Sequence, residues 1–189
     1  MIRHVPIVPT IIVLAAVATL VSLGIWQLGR AEEKTRQMIL YSKSSAIAEE
    51  APFPMNGEGE DVWFRWSRLE CPRVIDIQPV AGTAASGAKG WAMRATCEES
   101  TGETATVDIG FSRALDPPQW QGGTITGLIA PGPRLVANPP AGDLQPLAEP
   151  NPADLPNNHF AYAGQWFFFA LTALVIYGFA LRARASKHN

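Results

Sequence analysis

The chain has 189 residues, a net charge of -2 and a hydrophobic share of 47%, concentrated at its two ends. No basic stripe exists for a nucleic-acid backbone, so nucleic-acid partners are excluded. The polar, punctuated middle is long enough for one small domain with a modest core.

The apolar run Ile7 to Leu28 carries no charge and is long enough to cross a hydrocarbon core of about 30 Å. A cleaved signal peptide is the rival reading, since Arg3 precedes the run and Ala16-Val17-Ala18 resembles a cleavage site. The run continues to Leu28, past a normal peptidase position, which favours a membrane anchor. Pro6 and Pro9 fall in a first turn, where the donor they lack is unpaired in any helix. Residues 1–6 are then a short tail and 7–28 the first span.

Residues 29–61 follow as a helical extension and connector. Ala31 to about Ile47 lacks Gly and Pro and sets Glu32 and Arg36 at helical spacing.

Residues 62–130 read as a β-rich domain of about five strands, in one small sheet or partly closed barrel. Its clearest hairpin puts Trp91, Met93, Ala95 and Cys97 on one face, turns at Ser100-Thr101-Gly102-Glu103, and returns with Ala105, Val107, Ile109 and Phe111. Further strands are expected at Val62 to Leu69, Val74 to Gln78 and Thr124 to Ile129. Glu98, Glu99 and Asp108 read as a solvated strand face and turn. Residues 131–158 are rich in proline and read as an extended, semi-rigid tether.

Asn158-His159-Phe160-Ala161-Tyr162 leads into the second apolar run, giving a second span at 159–181 and a basic tail at 182–189. An imidazole at a membrane boundary is a metal-binding or titratable group with a functional role by default. Histidines otherwise occur only at His4 and His188, in the tails. No nucleophile elbow or phosphate loop is present, so the chain reads as a non-enzyme.

Arg182, Arg184 and Lys187 follow the second span, and no Lys or Arg lies between Arg134 and it, which puts the C-terminus in the cytoplasm. Two spans then put the N-terminus there too and the middle outside, although Arg30, Lys34 and Arg36 pull the other way. The absence of an Arg- and Ser-rich transit peptide favours a bacterial plasma membrane and a periplasmic domain. The basic tail also suits anionic lipid headgroups. The fold class is an α+β membrane protein, with two transmembrane helices flanking a small β-rich extracytoplasmic domain.

Cys71 and Cys97 fall in the outer, oxidising region, where a disulfide is expected. Free thiols and a metal or redox pair are the alternatives; the latter lacks Cys-x-x-Cys spacing.

Leu23-Gly24-Ile25-Trp26-Gln27-Leu28-Gly29-Arg30 with Lys34 resembles a hallmark of the Surfeit locus protein 1 family, and Asn157-Asn158-His159-Phe160-Ala161-Tyr162 with Trp166-Phe167 resembles that family's entry into its closing helix. Asp108-Ile109-Gly110-Phe111 stands where family members commonly have an Asn-Arg-Gly-Trp-like segment. The resemblance implies an assembly factor for cytochrome c oxidase, assisting haem a insertion into the catalytic subunit or stabilising it. It implies that subunit, and a haem a synthase, as partners. It also makes Gly24, Trp26, Gln27, Arg30, Lys34, Asn158, His159 and Tyr162 the motif residues. On this reading haem a is bound transiently, with His159 as iron ligand, Tyr162, Trp166 and Trp26 as flat walls and Arg30 on a propionate. The plainer alternative makes the aromatic residues an interfacial belt and His159 a wet boundary residue. A lasting accessory subunit of an oxidase and a membrane-tethered periplasmic adaptor are the alternative functions.

Overall fold

The computed structural model describes residues 6–55 and 59–186. Arg3, His4, Lys187 and His188, which belong to the expected tails, lie outside them. The described chain forms two long apolar helices flanking a mixed seven-stranded sheet, an α+β arrangement in two compact units.

The first unit pairs the membrane-length part of α1 (Ile7–Ser45) with α2 (His159–Ser186). Both helices are long and apolar enough to cross a membrane. α1 continues without a break through the expected extension, where Arg36 Nη2 donates to Glu32 Oε1 at 2.6 Å. The helices are antiparallel: Thr10 near the start of α1 meets Tyr177 late in α2, and Gly24 meets Phe167. Close approach rests on small residues. Gly24 and Ala31 on α1, and Ala163 and Ala170 on α2, are the buried positions, and each pair is seven residues apart. Apolar tails of lipid give no hydrophobic drive for pairing, so backbone proximity and dispersion hold such helices together. A Cβ on Gly24 would stand 2.6 Å from Phe167 Cε1, so glycine is what lets the ring sit there.

The second unit runs from Met38 to Leu155. Its strands are β1 (Ala51–Pro52), β2 (Trp66–Cys71), β3 (Arg73–Thr83), β4 (Lys89–Glu98), β5 (Thr104–Ser112), β6 (Gly123–Ala130) and β7 (Arg134–Ala137), in the order β1-β2-β6-β7-β5-β4-β3. β2 and β3 stand at opposite sides of that order although Pro72 alone separates them in the chain, so the sheet is rolled. Cys71 and Cys97 are joined by a disulfide at this seam, with Cα atoms 5.2 Å apart, the first of the three readings of the cysteines. The enclosed core holds Leu69, Met93, Ala95, Val107, Ile109, Ile125, Ile129 and Leu135. Tyr41, in the last turns of α1, packs on Trp63 and Phe64 at ring distances of 5.7 and 5.5 Å.

The expected hairpin forms as β4 and β5, with one correction. Arg94 pairs with Asp108 but Met93 pairs with Gly110, so Ile109 is an extra residue in β5. This bulge reverses the alternation beyond it. Phe111 therefore leaves the face of Ile109 and packs outside with Ala92, Ala130 and Val136. Gly110 has φ +156°, and a Cβ there would lie 2.5 Å from Leu144 Cβ, so the bulge requires glycine.

β3 runs on to Thr83, beyond the expected Gln78, and contains Pro79. It is the edge strand, so the donor that proline lacks has no partner to lose.

The proline-rich stretch 131–158 is not a tether throughout. β7 lies at the middle of the sheet between β6 and β5, and Gln145 and Ala148 donate to Phe111 O and Thr83 O at 3.0 and 2.9 Å. Those bonds strap residues 141–148 onto the sheet.

Asp108 is also corrected. It is 4% exposed, and its carboxylate accepts from Arg94 Nε at 2.7 Å and Nη2 at 3.0 Å, and from Arg134 Nε at 2.8 Å. The paired carboxylate raises the Arg94 pKa above its ordinary value through that hydrogen bond, against an opposing effect of burial. Removing Asp108 would leave two half-buried cations facing each other, at a cost of about 3–5 kcal/mol.

Candidate functional site

The start of α2 is built by its sequence. Asn158 O accepts from Tyr162 N at 3.1 Å, which makes Asn158 the N-cap and His159 the first helical residue. Just before it, Asn157 Nδ2 donates to Ala31 O and Thr35 Oγ1 of α1, both at 3.3 Å. Thr35 Oγ1 donates in turn to Ala31 O at 2.9 Å. This polar clasp fixes where α2 begins along α1, and so fixes the level of His159.

His159 Nδ1 lies 2.7 Å from Gln27 Oε1. With the Gln27 amide oxygen on the ring side, Nδ1 is the donor of this contact, and when the ring is neutral Nε2 carries the lone pair. The ring is thereby held in one tautomer and one orientation, as a histidine offered to an outside donor or metal must be.

Next to it, Arg30, Glu33, Lys34, Gln37, Pro156 and His159 line a pocket of about 260 Å³. Arg30 pairs with Glu33 through Nη1 and Oε2, which leaves Lys34 as the surplus positive charge. The wall is polar and charged.

Two of the five residues assigned to haem a come together here, His159 and Arg30. Trp26 and Tyr162 are 56% and 49% exposed, on the outer surface of the helix pair. Trp166 packs edge-on against Phe169 at 6.3 Å. His159, Tyr162 and Trp166 do share one face of α2, as positions i, i+3 and i+7 of an unbroken helix, but Ala163 and Ala170 beside them are the buried contact positions, so α1 does not cover Tyr162 and no slot closes over that face. The site therefore does not fit a haem enclosed between aromatic walls: a macrocycle needs a dry apolar slot, and this pocket is small and charged. Among the described residues there is also no cluster of three or more His, Cys, Asp or Glu able to hold a metal ion.

Gln27, Lys34 and Asn158 were named in the sequence for their motif alone, and the structure gives each a place: imidazole partner, pocket wall and helix cap. The clasp residues Asn157, Thr35 and Ala31 were not foreseen as a group. Their signal was available in part, because Ala31 repeats the small residue Gly24 at heptad spacing on α1.

Comparison with sequence families matches the SURF1 family over residues 14–171, from within α1 to within α2, with the whole sheet included. No curated protein and no solved structure matches the chain.

Proposed function

The chain belongs to the SURF1 family, known as cytochrome c oxidase assembly factors, and from that membership we propose that it steadies the catalytic subunit of a haem-copper oxidase while haem a is installed. The observation that carries this reading is the extent of the match, which runs from within α1 through the whole sheet into the first half of α2. Haem a stays with the client on this reading and is not held in a slot of this chain, because the pocket at His159 does not suit a macrocycle. His159 contributes a docking contact: its Nε2 accepts from a donor of the client at the level of the membrane boundary. Arg30 and Lys34 add charge beside it. The chain carries out no reaction of its own. Its partners are the catalytic subunit and, during transfer, a haem a synthase.

In this reading the protein lies in a bacterial plasma membrane. Antiparallel helices support both chain ends on one side, and Arg182 and Arg184 after the apolar part of α2 support the cytoplasm as that side. A disulfide in the sheet domain supports a periplasmic location for it.

The test is isolation of a tagged chain from cross-linked membranes of growing cells. The reading expects the catalytic subunit in an immature form, and expects the chain to be absent from mature oxidase. Stoichiometric retention in mature oxidase would make it an accessory subunit instead, and co-isolation of non-respiratory proteins alone would make it an adaptor.

A further inference from the structure

The rolled domain has a pocket of about 340 Å³ on the outer face of its sheet, beneath the segment that leads toward α2. Its floor is the Arg94–Asp108–Arg134 cluster and its walls include Phe64, Ala92, Val136 and Leu147. Asp108 is sealed, at 6% side-chain exposure, whereas the Arg94 and Arg134 side chains are 31% and 32% exposed. One carboxylate neutralises one of the two cations, so the floor has a surplus positive charge. Each guanidinium has five N–H donors. Arg94 spends two on Asp108, and Arg134 spends one on Asp108 and one on Pro131 O, which leaves three on each. The shared carboxylate holds both forks in place before any ligand arrives, which lowers the ordering cost of binding.

We propose that this pocket binds a single carboxylate on an apolar stem, with the anion on the Arg94 and Arg134 forks and the stem against Phe64, Val136 and Leu147. Planar forks match planar carboxylates. Glu149 and Asp154 stand on the lining too, and neither pairs with the two arginines among the described residues. Glu149 is engaged by Asn138 Nδ2 at 2.9 Å. With these two acids the whole lining carries one more negative than positive charge, so the attraction is confined to the floor; repulsion grows with ligand charge, and the pocket favours a singly charged carboxylate seated on the two arginines over doubly charged hydrogen phosphate. The chemistry is shared by a small organic acid and by the C-terminus of a polypeptide.

The test uses the full chain in detergent micelles, with the Nε–H resonances of Arg94 and Arg134 as readout. N-acetylleucine is expected to shift both in a saturable way, and N-acetylleucinamide and inorganic phosphate at matched ionic strength are not. An acetylated tripeptide ending in leucine binding at least tenfold tighter than N-acetylleucine would identify a chain terminus as the natural source; equal binding would identify a small acid. Arg134→Lys keeps the charge and removes the fork, and is expected to weaken N-acetylleucine roughly tenfold. Equal responses to acid and amide, no response to the acid, or unaltered binding by a folded Arg134→Lys protein would overturn the proposal. The comparison of acid with amide needs no variant to fold.

Discussion

Gln27 and His159, 132 positions apart in the chain, meet at 2.7 Å, and that contact decides which imidazole nitrogen is free. Gln27→Leu keeps the size of the side chain and removes the acceptor. The neutral ring then loses its preference for the proton on Nδ1, and nitrogen NMR of the imidazole is expected to show a mixture moving toward the Nε2–H form. A ring still held in the Nδ1–H tautomer would show that Gln27 does not orient it.

Among the described glycines of the first unit, Gly24 alone would place a Cβ within 4 Å of a neighbour. Gly24→Val places carbon where the Phe167 ring lies, and overpacking of this kind costs about 1–3 kcal/mol. The loss should appear as a lower midpoint for unfolding of the helix pair in mixed micelles. Phe167→Leu in the same chain should restore most of it. Failure of the second change to rescue the first would mean that the two residues do not share the space.

The disulfide closes a loop with a sequence separation of 26 between β2 and β4. The chain-entropy model gives about 3.5 kcal/mol for a loop of that size. Replacing both cysteines with alanine should therefore lower the denaturant midpoint of the sheet domain markedly, and thiol reductant should do the same to the unmodified protein. An unchanged midpoint in both experiments would show that the rolled sheet holds its seam without the link.

Tyr41 gives the sheet domain an alkaline limit. Burial, then the nearby Glu60 charge, raises its pKa above the ordinary 10.0. The folded state then holds the phenolic proton more tightly than the unfolded chain does. The resulting stability is fully present below pH 10.0 and is lost as pH rises through the folded-state value. Tyr41→Phe should flatten that part of the stability profile, which denaturant titrations at several alkaline pH values would show.

Much of this was legible in the sequence, for identifiable reasons. The two long apolar helices follow from uninterrupted apolar length, and β4 and β5 from strict alternation around a polar turn. β7 was hidden because Leu135 and Val136 are buried on opposite faces of the central strand, which erases alternation, and prolines crowd both sides of it. The bulge at Ile109 was hidden because it reads as continued alternation until the partner strand fixes the register. Asp108 looked like one more surface acid, since its partners Arg94 and Arg134 lie 14 and 26 residues away. At the helix pair, spacing on one helix cannot tell which side the other helix covers. That is why Tyr162 and Trp26 were assigned to a slot and stand instead on the outer surface.

The central claim is that the chain acts in oxidase assembly, and its most direct test is the reduced-minus-oxidised spectrum of membranes from cells with and without it. The account predicts that the haem a band falls when the chain is absent and returns when the chain is supplied again. A band of unchanged height in its absence would contradict the account.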